Sequence, residues 1–388
     1  MSIFQDIEAK WQDSGLSDML LAKFKTILTD ASKEGVKSCV ELLRSFGDEG
    51  LCVVLVQEDT GQIVLREDLG IVHRFLWMIE IVSIVIEPSN VWKDLYEVGS
   101  FDDMEEQVLV NLEWGSLSEV QQKKVVSFSM SSVEVPAGSF MMGALPNDDE
   151  CNDDEKPQHK VILTKRMQVS KYSCTQGLYE SVTGKNPSDH KGSIRPVETV
   201  SWCDAVLFCN KLSEVEGFDS VYILPVGFEE ACRVQNIYRS IPVEELSKQV
   251  QMNKDANGYR LPTEAEWEYC ARGSESHLYS GSENINEVAW YYENSSAETH
   301  PVGKKKVNGF GLYDMSGNVW EWVWDSEFRK YNSSTTDPMY IDTSSIRHVN
   351  RGGCWYYDAS LTRVSLRRGN FASFRGRNLG FRFLRKLG

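Results

Sequence analysis

The chain has 388 residues, a formal net charge of −16 and an aromatic content of 11%. This length allows two domains, or one large domain with a smaller companion, and it allows a sizeable buried core. A chain this acidic repels nucleic-acid phosphates, so we expect no nucleic-acid partner.

Nine cysteines occur along the chain without a CxxC pair. Scattered cysteines of odd number are typical of reduced thiols in a reducing compartment. Residues 1–13 lack a basic start followed by an apolar core, so we expect no signal peptide and a cytoplasmic location. Surface display would require that a leader had been removed from the N-terminus. The apolar run 75–86 is too short to span a bilayer, which predicts no membrane insertion.

Residues 1–126 are predicted to form a mostly helical accessory domain, whose role the sequence does not specify. Segments with apolar residues at helical spacing are 3–12, 16–31 and 33–45. Alternating segments at 51–56 and 62–65 flank a polar turn, which predicts a β-hairpin. This part of the sequence contains no recognisable catalytic set of residues, so docking or oligomerisation is its simplest role.

A second domain is predicted at 127–388, where short strands alternate with a few helices and with loops that contain Gly and Asp. Residues 133–143 alternate, turn at a Pro-Ala-Gly and resume as a second strand. A helix is predicted to begin after Thr263, because Thr263 can cap it while Glu266 reaches back. The pattern predicts the α+β class.

The segment 351–383 is the most informative part of the chain. Its ends, RGGCW at 351–355 and LGFRF at 379–383, have the character of structural elements. Between them, 356–377 contains no Lys, Glu, Gln, Met or Trp and has neither a helical nor a strand period. A middle rich in Tyr, Phe, Arg, Ser and Gly inside such a frame predicts a binding surface rather than a reaction centre.

Five arginines form a local basic cluster in this middle part. They are Arg363, Arg367, Arg368, Arg375 and Arg377. On an acidic chain they could face an acidic patch of a protein partner. Equally, they could be solvated charges whose stems pack on aromatic rings.

Seven motifs of the second domain occur in the order found in one protein family. They are VPAGSFMMG at 135–143, DEKPQHKV at 154–161, YSCTQGLYESVTGKNPS at 172–188, RPVETVSWCDAVLFCNKLS at 195–213, NGYRLPTEAEWEYCARG at 257–273, HPVGKKKVNGFGLYDMSGNVWEWVWD at 300–325 and the RGG…LGFRF frame. Together they resemble the formylglycine-generating-enzyme (sulfatase-modifying factor) family. The resemblance implies a C-type lectin-like fold of the formylglycine-generating-enzyme type for 127–388 and does not cover 1–126.

The best-known activity of that family oxidises a substrate cysteine with two active-site cysteines and copper. The resemblance places those cysteines at Tyr357 and Thr362, and Cys354 falls on a serine of the family motif. A single thiolate does not supply a paired site, so we expect no oxidase activity and no copper. The alternative is an active oxidase, or another enzyme on the same scaffold. It predicts a concave pocket of ionisable groups near Tyr357.

The last part of the chain resembles the variable proteins of diversity-generating retroelements, including those of spirochaetes. In such proteins randomised AAY codons become NNY codons, which cannot encode Lys, Glu, Gln, Met or Trp. The resemblance implies a variable region at 354–378 and a non-enzymatic ligand-binding function, with a protein as the expected ligand. The positions that it marks as varied are Tyr356, Tyr357, Asp358, Leu361, Leu366, Arg368, Gly369, Asn370, Phe371, Phe374, Gly376 and Arg377. The positions that it marks as constant frame are Ala359, Ser360, Arg363, Val364, Ser365, Arg367 and Arg375.

A constant protein-binding adaptor is a further alternative, and it predicts ordinary codons in this segment. The sequence specifies neither the ligand nor an oligomeric state.

Residues 314–321, DMSGNVWE, resemble a calcium loop of the formylglycine-generating family. The implied ligands are the carboxylates of Asp314 and Glu321 and the backbone carbonyls of Gly317 and Val319. A structural calcium ion is therefore one expectation for this loop. In the alternative, Asp314 caps a turn and Glu321 pairs with an arginine.

Overall fold

The computed structural model describes the strands at 53–56 and 63–66, and residues 112–233, 240–327, 331 and 335–387. The chain divides into two compact units, Met1–Val108 and Leu109–Gly388. In the first unit, β1 (Val53–Val56) and β2 (Ile63–Arg66) pair antiparallel, which confirms the predicted hairpin. The helices predicted at 3–12, 16–31 and 33–45 lie outside the described residues.

The structure describes seven helices in the second unit. They are α1 Glu119–Ser129, α2 Gln176–Thr183, α3 Trp202–Val215, α4 Phe228–Cys232, α5 Ile241–Ser247, α6 Glu264–Arg272 and α7 Ile285–Val288. Thr263 and Glu266 exchange side-chain and backbone hydrogen bonds at the start of α6, which confirms the predicted capping box. The domain boundary predicted at 126/127 lies inside α1, and the whole of α1 belongs to the second unit. Among the described residues, no helix combines the length and the apolar character needed to cross a membrane.

The strands of the second unit form several small sheets and one central sheet. They are β3 Ser132–Val135, β4 Gly138–Met142, β5 His159–Leu163, β6 Met167–Ser170, β7 Tyr222–Ile223, β8 Gln251–Met252, β9 Trp320–Ser326, β10 Thr335–Thr336, β11 Arg347–Arg351, β12 Arg367–Phe371, β13 Leu379–Phe381 and β14 Leu384–Lys386. The small sheets have the orders β10-β5-β4, β14-β6-β3 and β7-β8. The two strands predicted at 133–143 both form, but β3 pairs with β6 whereas β4 pairs with β5.

The central sheet has the order β12-β11-β9-β13. Strand β9 pairs antiparallel with β11 and parallel with β13, while β12 pairs antiparallel with β11 and forms an edge. All seven residues of β9 are buried, so both faces of the sheet are covered. Helices and mainly antiparallel sheets confirm the predicted α+β class.

Two hydrophobic clusters cover the two faces of strand β9. Trp320, Trp322 and Trp324 belong to one cluster, and Val323 between them belongs to the other. This alternation follows from the opposite directions of successive side chains in a strand. The indole of Trp322 also donates a hydrogen bond of 3.0 Å to the carbonyl of Val200 just before α3. A buried indole N–H needs such a partner, and here the bond fixes α3 against the sheet.

Candidate binding surface

The segment that follows β11 leaves the central sheet and returns at its other edge. Gly352 and Gly353 have φ angles of 97° and 75°, which turn the chain out of β11. A 3-10 helix, Ala359–Thr362, and the edge strand β12 follow. After a loop the chain re-enters the sheet as β13. The segment is therefore attached to one sheet at its beginning, middle and end.

Arg363 fastens the first part of this segment. Its guanidinium group donates to the two carboxylate oxygens of Glu155 at 2.8 and 3.0 Å and to Asp148 at 2.6 Å. All three side chains are at least 98% buried. Burial opposes ionisation of Glu155, but the hydrogen bonds from Arg363, the backbone of Asn152 and Ser365, together with the charge of Arg363, outweigh it and lower the pKa of that carboxyl. The resulting pair is charge-assisted and bidentate, which fixes its geometry.

Arg367 and Arg375 fasten the segment at two further points. Arg367 binds both oxygens of Glu264, at the start of α6, at 2.6 Å each. Arg375 binds both oxygens of Asp204, in the first turn of α3, at 2.8 and 3.0 Å. These three arginines are all positions that the sequence marks as constant frame. They are not members of a solvent-facing basic cluster, so grouping them with Arg368 and Arg377 in one such cluster is a wrong prediction.

Two more buried arginines hold the ends of the frame. Arg351, at the end of β11, pairs with Glu268 of α6. Arg382, just after β13, binds Glu321 of β9 at 2.7 Å. Both arginine side chains are nearly inaccessible to solvent. Ion pairs with the rest of the domain therefore hold the segment at both of its ends and at three points within it.

Glycines distinguish the frame from the nominated varied positions in a second way. A Cβ atom at Gly353 or Gly380 would lie 2.5 or 2.2 Å from a backbone carbonyl oxygen. At Gly369 and Gly376 the nearest atoms, at 2.7 and 3.0 Å, belong to side chains. A larger residue at the two frame glycines would displace backbone, whereas at the other two it would displace side chains.

The side chains between these anchors form an aromatic and cationic surface. Tyr356 is 49% exposed, and its ring lies 5.6 Å from that of Tyr357. Arg377 lies over the rings of Trp355 and Tyr356 at 5.4 and 5.9 Å. Arg368 lies over the ring of Tyr357 at 4.9 Å. Guanidinium groups this close to aromatic faces make cation–π contacts.

The nominated varied positions differ in exposure. Tyr356, Asp358 and Arg377 are exposed; Tyr357, Leu361, Arg368, Gly369, Asn370, Phe371, Phe374 and Gly376 are partly buried; Leu366 is buried. Tyr357, Leu361 and Phe374 also pack against the core with their inner sides. Each of these three side chains therefore has one part held against the core and another part accessible to a ligand.

Leu366 does not fit the predicted surface. It is only 2% exposed and belongs to the hydrophobic core, so the prediction that it faces a ligand is wrong. The residue directly precedes β12 between the two anchored arginines Arg363 and Arg367. A short turn pinned on both sides directs this side chain inward.

One exposed aromatic residue beside the segment is not indicated by any sequence pattern. The side chain of Tyr292 is 65% exposed, and its backbone N–H donates to the carbonyl of Tyr357 at 2.9 Å. Tyr292 precedes the frame by about sixty residues, so only the three-dimensional contact reveals it.

The segment contains one thiol, and it is inert. Cys354 is inaccessible to solvent and accepts a hydrogen bond from the amide of Asn378 at 3.3 Å. Burial raises the pKa of this thiol to about 11. The hydroxyl of Thr362 is likewise buried and donates to the carbonyl of Ala359. Neither group is placed to act as a nucleophile at neutral pH.

The two acidic residues of the loop 314–321, Asp314 and Glu321, differ in their hydrogen-bond partners. One oxygen of Glu321 accepts from Ser173 and the other from Trp267 and Arg382, as the arginine-paired alternative predicts. Asp314 is buried, and one of its oxygens has no hydrogen-bond partner. Calcium takes about six to eight oxygens, so an ion here would need further oxygens besides Asp314 and the carbonyls of Gly317 and Val319. The assignment of Asp314, Gly317, Val319 and Glu321 as calcium ligands stays a prediction.

The family model for the sulfatase-modifying factor enzyme 1-like domain matches residues 118–387. The chain belongs to this family. A protein of Paenibacillus barcinonensis named chaperone protein LppX is 35% identical over 226 residues, which is 53% of this chain and 75% of that protein. The formylglycine-generating enzyme of Streptomyces coelicolor is 35% identical over 144 residues, 32% of this chain and 46% of the enzyme. The chain thus spans less than half of that enzyme.

Two solved structures are similar to this chain. Treponema denticola variable protein 1 is 31% identical, with a TM-score of 0.58, over 66% of this chain and 95% of that protein. PvdO of Pseudomonas aeruginosa is 26% identical, with a TM-score of 0.51, over 66% and 94% of the two chains. The second unit therefore has the predicted C-type lectin-like fold of the formylglycine-generating-enzyme type.

Proposed function

We propose that this protein is a non-enzymatic ligand-binding protein whose segment 354–378 presents a variable surface diversified by a retroelement. The observation that carries the proposal is that the arginines of this segment fall into two groups with different contacts. Arg363, Arg367 and Arg375 are held by carboxylates, whereas Arg368 and Arg377 lie on aromatic rings at the surface. The likeness to a solved variable protein supports it.

The anchors explain how such a surface can change without unfolding. A buried, hydrogen-bonded ion pair holds the backbone by contacts that involve no varied side chain. Substitutions at exposed positions usually change stability by less than about 0.5 kcal/mol when they touch no such feature. Varied side chains can therefore be exchanged while the frame persists.

The composition of the exposed positions suits recognition of a protein. Tyr and Arg provide large contact area with modest loss of conformational freedom, while Ser, Gly and Asn adapt to different partners. Tyr356 and Arg377 supply aromatic and charged contact area, and the exposed Tyr292 is hydrogen-bonded through its backbone to Tyr357. We therefore propose a protein ligand, bound by surface complementarity.

An oxidase function is the alternative to a binding function. It requires two reactive thiols where the family motif places Tyr357 and Thr362, and the burial of Cys354 keeps its thiol protonated. Incubation of the full chain with a cysteine-containing sulfatase peptide, copper and oxygen tests this rival by mass spectrometry. Conversion of the cysteine to formylglycine would overturn the non-enzymatic assignment.

Two matched libraries test the variable surface itself. In the first, NNY codons replace the nominated varied positions other than Leu366; in the second, they replace Arg363, Arg367 and Arg375. Each library is displayed on yeast, and the fraction of protease-resistant clones is measured. We expect most clones of the first library and few of the second to resist. Equal survival would contradict the separation of frame and surface.

The encoding locus tests the diversification. We expect a near-copy of the last segment with AAY codons at the nominated positions, beside a reverse-transcriptase gene. Ordinary codons without such a copy would favour the constant adaptor.

A further inference from the structure

We propose that this surface recognises a carboxylate-rich segment of a partner protein through Arg368 and Arg377. This chemistry presupposes the binding function proposed above and adds the class of ligand. Three observations support it. The other arginines of this region have carboxylate partners, Arg368 and Arg377 contact aromatic rings, and the whole chain is acidic.

The chain provides a carboxylate for each guanidinium group that has a structural task in this region. The arginines so paired are Arg351, Arg363, Arg367, Arg375 and Arg382. Arg368 and Arg377 have no carboxylate partner anywhere in the part of the chain that the structure describes. Their N–H donors are therefore available to an acceptor brought by a ligand.

Aromatic rings hold both guanidinium groups in place before any ligand arrives. The guanidinium of Arg368 lies 4.9 Å from the ring of Tyr357 and 5.8 Å from that of Trp320. Arg377 lies over Trp355 at 5.4 Å. A guanidinium group that contacts a ring still has N–H donors, and these can make bidentate contact with a carboxylate. A pre-oriented side chain loses less conformational freedom on binding.

The charge of the chain selects among anionic ligands. With a net charge of −16, the chain repels polyanions except where a local positive surface compensates. Nucleic-acid binding depends on neutralising many phosphates, for which two guanidinium groups on such a chain are too few. A protein segment with a few carboxylates needs only a short positive patch, and its orientation is set by that patch.

Two exposed tyrosines indicate which residues of the ligand lie next to its carboxylates. Tyr356 lies 5.9 Å from Arg377, and Tyr292 contacts the backbone of Tyr357. Tyrosine beside arginine is the combination that dominates the energy of many interfaces. We therefore expect acidic residues in the ligand to alternate with apolar or aromatic ones.

Panning of a random peptide library on phage over the immobilised full chain tests this inference. We expect the recovered peptides to be enriched in Asp and Glu. A recovered peptide, labelled with fluorescein, should bind about tenfold or more weakly to R368Q/R377Q, because charge-assisted hydrogen bonds are lost. R385Q is the matched control: Arg385 lies 4.7 Å from the ring of Phe218, outside the segment. It should leave binding unchanged.

The outcomes separate this inference from the binding function itself. Peptides that are lost with Y356A but show no acidic enrichment would overturn the inference and leave the binding surface intact. An equal loss with R385Q, or tighter binding of a single-stranded oligonucleotide than of the peptides, would also overturn it. Failure to recover any peptide sensitive to Y356A would count against the binding function and the inference together.

Discussion

Substitution of Glu264 by Gln should loosen the segment selectively. Glu264 is nearly buried, and both its oxygens receive hydrogen bonds of 2.6 Å from Arg367. Burial opposes its ionisation, but Arg367 and Arg351 outweigh this and lower its pKa, so the carboxylate is charged at neutral pH. Glutamine keeps one acceptor but leaves the guanidinium of Arg367 uncompensated in the interior.

The cost of this change follows from the burial of the pair. Removing one partner of a buried ion pair costs roughly 3–5 kcal/mol. Since Gln retains one hydrogen bond, we expect the lower end, about 3 kcal/mol. For a domain of this size that corresponds to a fall in Tm of roughly 6–12 °C. Hydrogen exchange of β12 should accelerate more than that of the other strands, because the anchor of its first residue is lost.

Glu266→Gln provides the control on the same helical turn. Glu266 binds Arg260 in the same bidentate way, at 2.6 and 2.7 Å, but Arg260 lies outside the segment. This variant should lose comparable stability without a selective increase of exchange in β12. If both variants gave the same exchange pattern, the role of Arg367 as an anchor would be refuted.

Three further changes have defined outcomes. Burial raises the pKa of Glu198 to about 7, so the folded protein holds a proton on this carboxyl more tightly than the unfolded chain does. The stability that this proton contributes is fully present below the ordinary pKa of Glu and is lost as pH rises through 7. Glu198→Gln should therefore raise the free energy of unfolding at pH 8 by up to about 3 kcal/mol and change it little at pH 4, which denaturant titration checks; equal effects at both values would contradict this. Leu366→Ala should cost about 2–5 kcal/mol and Tyr356→Ala less than about 0.5, so a similar fall in Tm for both would show that Leu366 is no core residue. Cys354 should react with iodoacetamide in native protein far more slowly than in urea, as followed by mass spectrometry; similar rates would argue against its burial.

Local patterns in the sequence predicted the local features of this fold. The capping box of Thr263 and Glu266 needs only residues three apart, and it starts α6 as expected. The motifs of the second domain gave the fold class and family. Pairings between distant residues were not predictable: Arg363 lies more than two hundred residues from Asp148, and nothing in either neighbourhood indicates the other.

The location of the candidate surface was predictable from the sequence, but the burial of its individual residues was not. The composition of the segment marks Tyr356 and Arg377 correctly as accessible. It marked Leu366 in the same way, because composition carries no information on which side of the backbone a residue lies. Similarly, the motif around Glu321 suggested a metal ligand, whereas in the structure this carboxylate binds Arg382, which lies between the last two strands of the chain.

The spacing of the anchors also limits how this segment can evolve. Arg363, Arg367 and Arg375 each reach one stationary carboxylate site, so the number of residues between them is set by the distances between those sites. An inserted or deleted residue would pull at least one guanidinium group away from its acid. Novelty at this surface must therefore come from exchanging side chains at constant loop length, unlike antibody loops, which also diversify by growing and shrinking.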